Sequence, residues 1–126
     1  MTKISIQPTK QTPEILLDFE NLDFQIKGCS RPEDTENFYG PLIKSIEENR
    51  AMLQSAIEKL TIEVNIIYFN SSSLKFLLEL FRSIIRYKHP DAIEINWHFE
   101  KDDEDVKEVG LEFSEALNIP VSFYES

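Results

Sequence analysis

Cysteine is nearly absent: Cys29 is the one thiol, so no disulfide can form within the chain. Histidine occurs twice, at His89 and His98, both far from Cys29 along the sequence, which leaves no zinc-binding set and no expected metal. Glycine occurs three times, and none follows Gly28 at the spacing of a dinucleotide or P-loop motif. Gly28 therefore reads as a turn residue needing positive φ, and no nucleotide cofactor is expected. Basic residues are the minority, 13 Lys and Arg against 23 Asp and Glu, for a formal charge of −10. Such a surface repels phosphate backbones and anionic lipid, which disfavours nucleic acid and membranes as partners and leaves basic protein surfaces as the natural ones. Met1 to Lys10 alternates polar and apolar residues without a continuous apolar run. Neither a signal peptide nor a spanning helix is expected, and the cytoplasm is the expected compartment.

What is present is enough for a core. The hydrophobic fraction is 41%, with nine Phe, and the 126 residues contain no repeat and no low-complexity linker. One domain over residues 1–126 is the expectation. Ile4 and Ile6 alternate, Ile15-Leu16-Leu17 follows, and Leu22, Phe24 and Ile26 recur at period two, the spacing of half-buried strands. Glu20-Asn21 between the last two runs suggests a hairpin. From Thr35 the period becomes helical through Phe38, Leu42, Ile46, Leu53 and Ile57, with Pro41 in the first turn or at a break. Leu60 to Phe69 is β-branched and aromatic and ends in a solid apolar run, which predicts a central strand buried on both faces at its carboxyl end.

After Asn70-Ser71-Ser72-Ser73, the stripe Leu74, Leu77, Leu78, Phe81, Ile84 and Ile85 predicts a helix. Ile93, Ile95, Trp97 and Phe99 then alternate as a strand, Val106, Val109, Phe113 and Leu117 mark another helix, and Pro120 opens a last strand over Val121 to Tyr124. Early strands followed by alternating strand and helix predict an α/β fold whose mixed sheet is antiparallel at the amino end and parallel later, with right-handed crossovers.

The serine turn is the most informative segment, because ligands gather where strands of open α/β sheets empty into helices. Asn and Ser are also the preferred helix N-caps, which accounts for one or two of the four residues but not for three serines in a row. A phosphoryl group on one of them adds about −1.5 to −2 charge beside the positive end of a helix dipole. The acidic run Glu100 to Asp105 gives no start with the alternating ligands and glycine of a calcium loop. Asp102 or Asp103 can cap the following helix, with Glu104 and Asp105 in its first turn, and the run can also face a partner.

The remaining features are weaker. His98 is expected on the sheet face opposite Trp97, and His89 at a helix end where a cation suits the dipole. Cys29 reads as a loop filler, and Phe38, Tyr39 and Pro41 as core or a docking edge. A small hydrolase with a serine nucleophile, Glu100 or Asp102 and a histidine lacks the Gly-x-Ser-x-Gly elbow.

Four separated motifs occur together. They are Gly28-Cys29-Ser30-Arg31-Pro32-Glu33-Asp34 with Phe38-Tyr39 and Pro41, then Tyr68-Phe69-Asn70-Ser71-Ser72-Ser73 with Lys75, then Trp97 and Phe99-Glu100 with Asp102 to Asp105, and finally Gly110 with Ile119-Pro120. In this order the chain resembles the SiaC-like family, small bacterial signalling proteins with a fold similar to STAS domains, the anti-sigma factor antagonists. The resemblance implies a non-enzymatic switch protein. In the family, the residue after the Asn of the Tyr-Phe-Asn motif is a threonine that a dedicated protein kinase phosphorylates and a PP2C-type phosphatase restores. The matching residue here is Ser71, which keeps the hydroxyl and loses the methyl, with Ser72 the second choice. The unphosphorylated form is implied to bind and activate a diguanylate cyclase, in cyclic di-GMP signalling and biofilm control. Asn70, Ser72, Ser73, Lys75, Asp102 and Asp103 are the implied partner-binding residues. An anti-sigma factor antagonist is the alternative of the same class. A monomer is expected, or a weak homodimer paired through an exposed edge strand.

Overall fold

The computed structural model describes residues 1–126. Six strands, β1 (Lys3–Ile6), β2 (Glu14–Asp18), β3 (Asp23–Ser30), β4 (Leu60–Phe69), β5 (Ile93–Phe99) and β6 (Val121–Glu125), form one sheet in chain order. β1, β2 and β3 are antiparallel, and β3 through β6 run parallel. The crossovers carry α1 (Thr35–Glu48) and α2 (Arg50–Ser55), then α3 (Ser71–Tyr87), then α4 (Glu104–Leu117). This is the expected mixed sheet with an antiparallel amino-terminal portion.

The β2–β3 turn forms where Glu20-Asn21 suggested it. The Asp18 carboxylate accepts from the backbone N–H of Glu20 and Asn21 and from the Asn21 side chain, and Leu22 closes the turn at φ 53° instead of extending the strand.

Two expectations fail for physical reasons. The helix expected to run from Thr35 past Leu53 to Ile57 breaks at Asn49, whose side-chain amide donates to the carbonyls of Ser45 and Met1. Ile57 lies beyond α2 and is 93% exposed, whereas Pro41 sits inside α1 without ending it. The second concerns the carboxyl end of β4. Consecutive parallel strands that neighbour each other in order place all their right-handed crossovers on one face, so the sheet is covered by helices on one side only. Leu60, Ile62, Val64 and Ile66 are buried beneath the helices, while Thr61, Glu63 and Asn65 alternate with them on the open face.

The alternation then fails. Gly28 pairs with Ile66 and Cys29 with Tyr68, so Ile67 is an extra residue bulging from β4. Ile67 and Tyr68 are 55% and 50% exposed, the reverse of the burial expected from their apolar run. Gly28 does take positive φ (111°), but within β3 at this bulge, and Cys29 is likewise a half-buried strand residue and not a loop filler.

The core centres on Trp97 beneath α4. Its indole Nε1 donates to the carbonyl of Val106 at 3.0 Å, and its ring lies edge-on to Phe113, which meets Phe81 of α3 in the same manner. Gly110 permits this approach: a Cβ there would stand 2.6 Å from the Phe123 ring and 3.0 Å from Trp97.

Candidate functional site

β4 stays paired with β3 to its last residue, Phe69 opposite Ser30, and the Asn70 N–H then donates to the Ser30 carbonyl. Asn70 is extended (φ −88°, ψ 168°), and its Oδ1 accepts from the Ser73 N–H at 2.8 Å while its carbonyl accepts from the Leu74 N–H. It is the N-cap of α3, so the serines that follow are free of that task.

Each serine has a different fate. Ser73 is fully buried, and its Oγ donates to the Ser30 carbonyl at 3.0 Å. Because that proton is committed, Ser30 Oγ donates to Ser73 Oγ at 2.8 Å, and the Tyr39 hydroxyl donates to Ser30 Oγ at 2.6 Å. A chain of hydroxyls thus ties α1, β3 and α3 together. Burial pushes the Tyr39 phenol above its ordinary value, against the lowering effect of the Ser30 and Ser73 hydrogen bonds, and keeps it a neutral donor. Ser72 is exposed, with its Oγ 2.8 Å from Thr35 Oγ1 at the start of α1 and 3.4 Å from Asn70 Oδ1. Ser71 is exposed at the first position of α3, and its Oγ takes part in none of these bonds.

Ser30, Thr35 and Tyr39 are the participants that the reading of this turn missed. They lie in the segment from Gly28 to Tyr39 that resembles the family motif, and no local pattern connects that segment to the serine turn. Tyr39 is wholly buried and therefore no docking edge, whereas Phe38 and Pro41 line a cavity of about 770 Å³ with Ile4, Ile6 and Leu42.

A family model described as SiaC family regulatory phosphoprotein matches residues 6–126. The chain belongs to this family. Among curated proteins, it is 26% identical over 122 residues to an uncharacterized protein of Pseudomonas aeruginosa (strain UCBPP-PA14), covering 95% of this chain and 94% of that one. Among solved structures, it superposes on SiaC of Pseudomonas aeruginosa with a TM-score of 0.82 and 22% identity, covering all of both chains. It also matches a chain in the crystal structure of the diguanylate cyclase SiaD in complex with its activator SiaC, from the same organism, with a TM-score of 0.83 and 23% identity. That match covers 98% of this chain and 99% of the other. At these identities the superpositions establish the shared fold.

In this SiaC-family chain the acidic turn lies across a crevice from the serine helix. Asp103 is the N-cap of α4, its Oδ1 accepting from the Val106 N–H at 3.2 Å, and Glu104 and Asp105 occupy the first turn. Asp102 is exposed at φ 70°. Asp103 and Asp105 line a cavity of about 340 Å³ together with Ile67, Tyr68, Phe69, Leu74, Val106 and Val109. Lys75 is exposed one helical turn after Ser71, its Nζ 6.0 Å from the Phe76 ring centre.

The histidines lie elsewhere. His98 is on the face opposite Trp97, as expected, 3.6 Å from Glu63 and stacked on Tyr124. His89 lies beyond the end of α3, its Nδ1 accepting the Asp91 N–H to cap the short 3-10 turn Pro90–Ala92. At a rise of about 1.5 Å per residue, α3 holds His89 roughly 25 Å from Ser71, so no imidazole of that segment can act as its base. No helix is long and apolar enough to cross a membrane.

Proposed function

We propose that this chain is a phospho-switch. A protein kinase phosphorylates Ser71, a PP2C-type phosphatase restores the hydroxyl, and the unmodified form docks on and activates a diguanylate cyclase in the cytoplasm. The observation that carries this reading is the sorting of three adjacent serines, of which Ser71 alone is both exposed and free of structural hydrogen bonds. A phosphate there would stand beside the first-turn N–H groups of α3, so charge is added without unfolding the helix. Membership in a family of regulatory phosphoproteins supports a modified hydroxyl, and the shared fold with an activator of a diguanylate cyclase supports the partner. Asn70, Ser72, Lys75, Asp102 and Asp103 would then meet the partner, whereas buried Ser73 acts by holding the turn.

The test is intact mass and peptide mapping of kinase-treated protein, with binding and cyclic di-GMP synthesis measured in parallel. One phosphate on Ser71, absent in Ser71→Ala and accompanied by loss of cyclase activation, is the expected result. Phosphate on Ser72 with Ser71→Ala modified normally would overturn the site. Retrieval of an anti-sigma kinase in place of a cyclase would assign the chain to the alternative partner class.

A further inference from the structure

The parallel sheet forks beside Ser71. β4 and β5 are paired only from Leu60–Ile93 to Val64–Trp97; beyond that point β4 remains with β3 and β5 remains with β6. Into the fork face Ile67, Tyr68 and Phe69 of β4, Leu74 of α3, and Val106 and Val109 of α4. The bulge at Ile67 turns out two consecutive large side chains that regular alternation would not expose together. Phe69, stacked on Trp97 at 6.1 Å between ring centres, anchors the floor to the core.

The rim is predominantly acidic. From Glu100 to Glu108 the chain carries six carboxylates against Lys101 and Lys107, and two of those carboxylates, Asp103 and Asp105, line the fork itself. Lys107 is turned toward the Phe99 ring, 5.5 Å from its centre. Ser71 and Leu74 are three apart in α3 and so lie on neighbouring positions of one helix face.

Resting on the switch reading, we infer that this fork is the docking groove for a basic segment of a partner protein, which inserts an apolar side chain between Tyr68 and Val106 and sets Lys or Arg against Asp103 and Asp105. Apolar walls with an acidic rim select that chemistry, and an acidic segment is excluded by repulsion. Ser71 precedes the groove residue Leu74 by three positions on α3, and the bulk of a phosphate there would close the entrance to the apolar anchor.

Two designed peptides with the same leucine pattern, one with Lys and one with Glu at the polar positions, provide the probe for the full-length protein in calorimetry and NMR titration. The Lys peptide should shift the amides of Ile67–Phe69 and Val106–Val109. Ile67→Ser with Tyr68→Ser, both at exposed positions, should weaken it at least tenfold with an unchanged circular dichroism spectrum. Replacing the peptide's leucines by serine should also abolish binding. The groove is wrong if the Glu peptide binds equally, if the double variant binds as wild type, or if the shifts fall elsewhere. Repeating the titration on protein phosphorylated at Ser71 separates the two readings. Binding lost supports both, whereas groove binding unaffected by the phosphate leaves the groove and removes its regulation. A failed groove beside an intact Ser71 switch in the cyclase assay removes the groove alone.

Discussion

Ser30 Oγ donates to Ser73 Oγ across 2.8 Å, joining residues 43 positions apart in the chain. The bond locks the end of β3 to the first turn of α3, and it makes Ser73 a structural residue beside a free Ser71.

The two serines should therefore respond differently to alanine. Ser73→Ala leaves the Ser30 hydroxyl proton without an acceptor in a buried site, while the Ser30 carbonyl keeps the Asn70 N–H, and should cost about 1–3 kcal/mol. Ser71→Ala should stay within about 0.5 kcal/mol of wild type, as surface changes do. Urea unfolding followed by circular dichroism measures both, and equal losses would refute the assignment of separate roles.

Tyr39→Phe should remove a hydroxyl donor to Ser30 and cost about 1 kcal/mol at neutral pH. The phenol also gives an alkaline signature. Its folded value is raised above the ordinary 10.0, so the unfolded chain loses this proton first and stability declines as pH rises beyond about 10. The difference in stability between wild type and Tyr39→Phe should shrink over that range, and a constant difference would contradict it.

At the acid end, Asp18 works in the opposite sense. The Asn21 side-chain amide, followed by the Asn21 backbone N–H, holds its carboxyl below the ordinary 3.8. The stabilisation is present above that value and is lost as pH falls through the lowered one. Melting temperatures from pH 6 to about 2 should fall more gently for Asp18→Asn than for wild type. Parallel curves would show that this turn contributes nothing to acid unfolding.

Gly110→Ala should destabilise by about 1–3 kcal/mol, since the new methyl meets the Phe123 and Trp97 rings in a filled core. Trimming Phe123 to Leu in the same chain should recover part of the loss. A double-mutant cycle on thermal unfolding reads the coupling, and additivity would mean that the rings move aside freely.

Much of the architecture was legible because periodicity is local. The strand at Ile93–Phe99, the helix after the serine turn and the hairpin at Asn21 follow from residue spacing and turn chemistry alone. The ends of elements were less so: the break at Asn49 depends on a side chain reaching the carbonyl of Met1, and the exposure of Ile67 and Tyr68 depends on a bulge against β3.

By itself the sequence determined where a hydroxyl-rich cap follows a strand, that the chain is strongly acidic, and which family its motifs resemble. Which serine is free was decided only in three dimensions, because Ser30, Thr35 and Tyr39 come from distant segments and consume the hydroxyls of Ser73 and Ser72. The open sheet face has the same origin: strands that neighbour each other in chain order force every crossover onto one side, and hydrophobic spacing within a single strand carries no record of that order.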